Sequence, residues 1–398
     1  MIKPVTISIK GDFIDSQIYS GRLYLWHFNG KLSIYDWNML INQIDIDTND
    51  QLAIKYSFMN GAFLYKVHEM FDDEEFKNLM LDKIKRISNK EYVINDKVLE
   101  DCKIYENDTP TGILPIDTEI YNNVLYCLTE KGLFSSKIEN NKSSKKKLKK
   151  EIQISDIMAF SIKANLYPQI VISAGEEGVF EYYVNDNIDR IDVNTLKQVE
   201  YSLFQVSESH STFANYVNRS IYSTSLIGKS KFLDYEWDKN RNVYFRNQKS
   251  DKDSFEIFDD RDDDRDINVS WGVDDKIYKI SNEEIKYRRV SNISNQSLNV
   301  EKINIRDKIK QNYGNVIGAS SSHFGTIIEY ENALLVLCSD GEKFDINGEI
   351  VNWRVFPRSK CYQNQLHVIL NDRIKIYSFS HDYFLDQIQK DFGICFRP

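Results

Sequence analysis

Residues 14–30, IDSQIYSGRLYLWHFNG, return 102 residues later as IDTEIYNNVLYCLTEKG at 116–132, without a gap. Seven of the seventeen positions are identical, and the Ser/Thr and Gln/Glu exchanges are conservative, so the two stretches describe one structural unit. Their skeleton is a Tyr, three residues, an aliphatic, six residues and a Gly. It holds at Tyr19/Leu23/Gly30, Tyr121/Leu125/Gly132, Tyr167/Val171/Gly178 and Tyr330/Leu334/Gly341, and its first half holds at Tyr362/Leu366. Each copy reads as a turn, an apolar strand such as LYLWHF or LLVLC, a Gly or Asp turn, and a second strand of alternating apolar residues such as KLSIYDW. That is a β-hairpin in which Gly supplies the positive φ of a tight turn.

Weaker hairpins fill the intervals: FMNGAFLYKV at 58–67, NRSIYSTSLIGKSKFLDYEW at 218–237 and INVSWGVDDKIYKIS at 267–281. A strand-and-turn unit repeated at this period cannot bury both of its faces alone, but it can when stacked in a closed ring, which is the pattern of a β-propeller. Anchors near residues 19, 58, 121, 167, 216, 265, 330 and 362 give an all-β chain of seven to eight four-stranded blades over residues 1–380, with 381–398 as a C-terminal tail. The last hairpin, LHVIL with RIKIY, lacks chain for a fourth strand, while the apolar stretch at 5–9 has no blade of its own. The N-terminal strand is therefore expected to complete the last blade and close the ring, which removes an exposed sheet edge.

Within this frame the segment 30–36, GKLSIYD, resembles the Gly-x-Ile-x-Ile-Trp-Asp strand end of WD40 blades, and 372–377, DRIKIY, is a looser version. The other units lack the terminal Trp-Asp and the Gly-His opening. The resemblance implies a divergent WD40-like repeat protein without a specific family.

Composition agrees with strands. Aromatics make up 13% of 398 residues, led by 24 Tyr and 22 Phe, types that suit half-buried pleated surfaces. With only 6 Pro and 16 Gly, many turns fall to Asn and Asp. The net charge of −9 weighs against a broad phosphate-binding surface, so nucleic acid is not an expected partner. The start shows no apolar leader region, and the longest apolar run, 333–338, is too short to cross a bilayer. Five cysteines without metal-type spacing suit a reducing compartment, and the expected location is cytoplasmic.

One segment departs from the β pattern. In 71–89, Phe76, Leu79, Met80, Ile84 and Ile87 share a helical face, with acids in the first turn and bases in the last, as the helix dipole favours. This helical insertion, about 70–89, either packs on the flank of the second unit or presents Phe76, Leu79 and Ile84 to a partner. Two charge runs, six lysines in 142–150 and six aspartates in 259–266, read as solvated loops. The lysine-rich loop also offers an accessory nucleic-acid contact as an alternative reading.

Sequence motifs for chemistry are few. The six histidines form no HExxH pair, no GxSxG, P-loop or GxGxxG occurs, and no catalytic residue, cofactor or metal site is assigned. The two matched tetrads Ser207-x-Ser209-His210 and Ser320-x-Ser322-His323 are the exception. If they occupy equivalent blade positions, Ser209, His210, Ser322 and His323 lie at the channel mouth, where an enzyme of hydrolase or lyase type would work. Otherwise they satisfy backbone groups. The favoured reading is a non-enzymatic protein-interaction platform within a larger cytoplasmic assembly, binding protein partners through the irregular segments 139–151, 247–266 and 282–315.

Overall fold

The computed structural model describes residues 2–60, 69–109, 112–138, 148–166, 169–183, 197–200, 210–226, 229–247, 252–253, 257–258, 269–280, 284–293, 300–305, 313–384 and 392–394. Within these residues the strands form seven antiparallel blades. The first strands of blades 1 to 7 are Phe13–Tyr19, Asp117–Tyr121, Ser161–Ala164, His210–Tyr216, Val269–Val273, Val316–Ser322 and Ile350–Val355. They pack side by side in that order, and the seventh returns to the first, so they line the centre of a ring.

Blade packing is legible in single strands. Ala333–Cys338, ALLVLC, is buried along its whole length because both of its faces are covered. Leu335 and Leu337 join a cluster with Trp271 and Val316 of blades 5 and 6, while Leu334 and Val336 meet Val368 and Tyr377 of blade 7. Alternate side chains thus serve alternate neighbours. The turns of the quoted repeat are held by Ser20, Asn122 and Asn123, all at positive φ, together with Gly21. Such conformations favour Gly and Asn and match the twist of a hairpin.

The ring closes through the N-terminus. Val5–Lys10 pairs antiparallel with Arg373–Ser378, from Val5 opposite Ser378 to Lys10 opposite Arg373, and forms the fourth strand of blade 7. Its other edge is covered by Glu91–Ile94, which runs parallel to it. That fifth strand comes from an insertion between Lys31–Asp36 and Lys103–Asp108, the third and fourth strands of blade 1.

The insertion is larger than the single helix that the sequence suggests. Trp37–Asn42 is capped by the Asp36 carboxylate, which accepts the Met39 N–H. Gln51–Lys55 runs into a wide helical turn at Tyr56–Asn60. Glu74–Ile87 is capped by Asp73 and carries Glu74 and Glu75 at its start and Lys85 and Arg86 at its end. The hairpin expected at 58–67 is therefore not a blade. Its described start is helical, residues 61–68 fall outside the described set, and the blade count is seven.

Hydrogen bonds explain the switch. A wide turn leaves carbonyls free of the i−4 ladder. The Ser57 carbonyl accepts Asn364 Nδ2 at 2.9 Å and Ser378 Oγ at 2.7 Å, and the Phe58 carbonyl accepts Trp37 Nε1 at 2.7 Å and Gln365 Nε2 at 2.9 Å. Blade 7 thus fixes the turn. The Glu74–Ile87 helix accordingly packs against Ser380–Phe384, beside blade 7 rather than on a second unit.

Two other expectations change. The Tyr330 copy of the repeat lies one strand later than the others, since Tyr330 ends the second strand of blade 6 while Tyr19 and Tyr121 end first strands. The spacing marks any tight hairpin, not one fixed place in a blade. Likewise 282–315 is not all irregular, for it holds Glu284–Arg289 and Glu301–Asn304 of blade 5, and in 247–266 Ile257 and Phe258 are core residues.

Candidate functional site

Two polar features stand out, one inside the ring and one on its flank. Inside, the Asp shared by the two quoted stretches reappears as a pair. Arg354 of blade 7 donates from Nε and Nη2 to the two oxygens of Asp15 at 2.8 and 2.7 Å, and its Nη1 lies 2.7 Å from Asp117 Oδ1. Asn352 Nδ2 and Thr118 Oγ1 add bonds to Asp15 at 3.2 and 2.7 Å, and the Ile162 N–H donates to Asp117 at 2.8 Å. Further along, Glu119 faces Arg358 at 3.5 Å and Lys163 at 4.0 Å.

Three carboxylates and three cations on the first strands and adjoining loop of blades 7, 1, 2 and 3 thus answer one another. Burial alone would raise the Asp117 carboxyl, but Lys163, Arg354 and the Ile162 N–H outweigh it and hold it below the usual range. At Glu119 burial wins and the carboxyl is raised. Burial works against the Arg354 charge, yet Asp15 and Asp117 leave that guanidinium more firmly protonated than usual. Each charge has a partner, so the cluster is a lock between blades.

Between blades 3 and 6 the described ties include neutral ones. Ser173 Oγ meets Tyr222 OH at 2.6 Å, Ser223 Oγ meets Ser270 Oγ at 2.7 Å, and Trp271 Nε1 donates to Ser321 Oγ at 2.9 Å.

The two histidines do not occupy equivalent backbone positions. His210 opens the first strand of blade 4, whereas His323 follows the first strand of blade 6, so the two sit at opposite ends of the inner ring rather than at equivalent positions. Ser209 and the His210 side chain lie outside the described residues. His323 is buried and donates from Nδ1 to the Ile394 carbonyl at 2.9 Å, and Ser322 Oγ donates to the Gln363 carbonyl at 2.5 Å. These two residues hold backbone. They bind the described part of the C-terminal segment, whose Phe392 and Ile394 are buried in the core shared by blades 5 and 6. The aspartate run lies outside the described residues, as does the lysine run up to Lys147.

On the flank, the insertion presents an open groove of about 780 Å³ lined by Glu69, Met70, Asp73, Glu75, Phe76 and Leu79. The turn at Glu69–Asp72 forms one wall and the first half of the Glu74–Ile87 helix the other. Helical spacing puts Glu75 and Leu79 on one face. Leu79 is 53% exposed and Met70 45% exposed, while Phe76 is half-buried with its ring edge-on to Phe71 at 5.3 Å. Ile84, the third residue proposed to face a partner, is fully buried with Met80 and Ile87 and faces the parent fold.

The ring and its blade topology make the chain a seven-bladed β-propeller, and the 30–36 segment that resembles a WD40 strand end supplies the third strand of blade 1. No family model and no curated protein matches its sequence. Among solved structures it is similar to the Dos1 propeller, at 9% identity over 96% of this chain and 80% of that one, with a TM-score of 0.45. It is similar also to the Neurospora crassa Pan2 WD40 domain, at 8% identity over 93% and 90%, with a TM-score of 0.46. The computationally designed Ika8 protein aligns at 8% identity over 95% and 100%, with a TM-score of 0.43.

Proposed function

We propose that the chain is a non-enzymatic protein-interaction platform that works within a larger cytoplasmic assembly. The observation that carries this reading is the insertion. Most apolar side chains of a propeller are consumed by blade packing, yet here Met70 and Leu79 are left exposed at the mouth of a groove on a firmly anchored element. Exposed apolar residues rimmed by polar ones mark interaction surfaces. Bonds from Asn364, Gln365 and Ser378 fix the insertion at Ser57 and Phe58, and the Glu74–Ile87 helix packs on Ser380–Phe384, so the helix that walls the groove is held in place before binding, which lowers the ordering cost.

The test is purification of the tagged chain from its native host, followed by the same purification of Leu79→Asp. The reading requires a stoichiometric protein partner with the unaltered chain and its loss with the variant at unchanged circular dichroism. A monomer that co-purifies with nothing, or a partner held equally by both proteins, would oppose this assignment of the surface.

A further inference from the structure

The groove also carries information about what it binds. Its lining holds three acids, Glu69, Asp73 and Glu75, against three apolar side chains, Met70, Phe76 and Leu79. The four cations of the Glu74–Ile87 helix are engaged elsewhere. Lys77 pairs with Glu74 at 2.9 Å, Lys85 lies 3.4 Å from Asp82, Arg86 binds Asp50, and Lys83 donates to the Asn49 carbonyl. Glu69, Asp73 and Glu75 have no ion-pair partner among the described residues. Among the described residues, the one side-chain hydrogen bond of these three acids is Asp73's, whose Oδ1 accepts the Phe76 N–H at 2.8 Å. Apolar side chains interspersed with acids that have no described ion-pair partner select against acidic ligands by like-charge repulsion.

Resting on the reading of this face as an interaction surface, we propose that the groove binds a short basic amphipathic helix of another protein. The apolar anchors of that helix would seat on Met70, Phe76 and Leu79, and its Lys or Arg residues would face Glu69, Asp73 and Glu75. The geometry suits this mode. The helix-in-groove arrangement reads anchors at i, i+3 or i+4 and i+7. The wall from Glu75 to Leu79 offers about one turn, ~6 Å of rise, so two or three anchors suffice. Acids crowd the first turn of the Glu74–Ile87 helix, where they also favour its own dipole, so charge needed for recognition costs the helix nothing.

The experiment measures fluorescence anisotropy of the full chain with two labelled peptides of about 14 residues, alike in Leu positions at i, i+3, i+4 and i+7, one flanked by Lys and one by Glu. The Lys peptide should bind at least about tenfold more tightly than the Glu peptide, and less so as salt is raised. Leu79→Asp should weaken it by about tenfold or more. The double variant Glu69→Lys/Glu75→Lys should reverse the preference, a gain that a merely misfolded variant would not show. Equal binding of both peptides, no binding of either up to about 1 mM, or indifference to Leu79→Asp would overturn the proposal. So would a dimer of the chain dissolved by Leu79→Asp, since the groove would then be covered by a second copy. If a co-purified partner is released by Leu79→Asp while the peptides are not distinguished by charge, the platform stands and the basic helix falls. If the peptides are distinguished while that partner stays bound, the groove chemistry stands and the broader reading fails.

Discussion

Replacing Arg354 with Ala removes one guanidinium that serves two carboxylates on two other blades. The side chains involved are nearly closed to solvent, with 11% exposure at Arg354 and 3% at Asp15. Losing one partner of a buried ionic cluster costs about 3–5 kcal/mol, chiefly because the remaining charges are left uncompensated. Unfolding entropy of about 2.1 cal/mol/K per residue over a cooperative unit of this size converts that loss into a fall of about 5 °C in Tm. The cause can be separated from lost packing by adding Asp15→Asn and Asp117→Asn to Arg354→Met. Asn keeps an acceptor oxygen for the Ser16 and Thr118 N–H groups while removing the charge. The triple variant should therefore recover most of the loss. The pH trend provides a second reading. Asp117 has a depressed folded pKa, so its contribution is present above the unfolded carboxylate value and is lost as pH falls through the folded one. The gap between Arg354→Ala and the unaltered chain should accordingly narrow in acid. Differential scanning calorimetry makes the comparison. A Tm for Arg354→Ala within about 1 °C of the unaltered protein, or a triple variant no better than the single one, would refute the view that this cluster locks the ring.

The other predictions concern closure, pH and the two faces of the insertion. Deleting residues 2–10 removes a strand bonded on both edges, and exposes two edges at once, so the product should melt lower and aggregate, as light scattering during a thermal ramp would show. His367 is fully buried, and burial holds its pKa down at about 3. Its unfolded form takes up a proton near pH 6.5 while the folded form does not, so its share of stability is lost as pH falls, by about 1.4 kcal/mol between about pH 7.5 and about pH 5.5. His367→Gln should flatten that part of the denaturant-midpoint profile. Leu79→Asp should leave Tm nearly unchanged, whereas Ile84→Asp places a charge in a closed core and should prevent folding, both readable by near-UV circular dichroism.

The fold was legible because a hairpin leaves local marks. Tyr19 and Tyr121, the apolar runs after them, and Gly30 and Gly132 each follow from backbone needs within a few residues, and the lone apolar stretch at the N-terminus stood out for want of a partner. The 58–67 segment misled for the same reason. Its apolar run looks like a strand, and donors that the run itself does not reveal, Trp37 and, more than 300 residues away, Asn364, Gln365 and Ser378, hold its start in a wide helical turn. The ionic lock was half visible. Asp15 and Asp117 are among the identical positions of the quoted stretches, so the repeat itself carried the signal, but nothing local to Arg354 announces that it reaches both. The histidine tetrads match in spacing without matching in place, because spacing to a strand does not specify which strand of a blade is meant: Ile221 lies on a second strand and Leu334 on a third. Leu79 and Ile84 share a helical stripe in sequence, and their separation into outer and inner positions depends on how far the parent fold wraps the helix.

Amide hydrogen exchange over Val5–Lys10 tests the closed ring most directly. This strand lies between Arg373–Ser378 and Glu91–Ile94, so its amides should exchange as slowly as those of Gln365–Leu370 inside the same blade and be released only with global unfolding. Exchange as fast as that of a fraying chain end, with Gln365–Leu370 still protected, would contradict closure through the N-terminal strand.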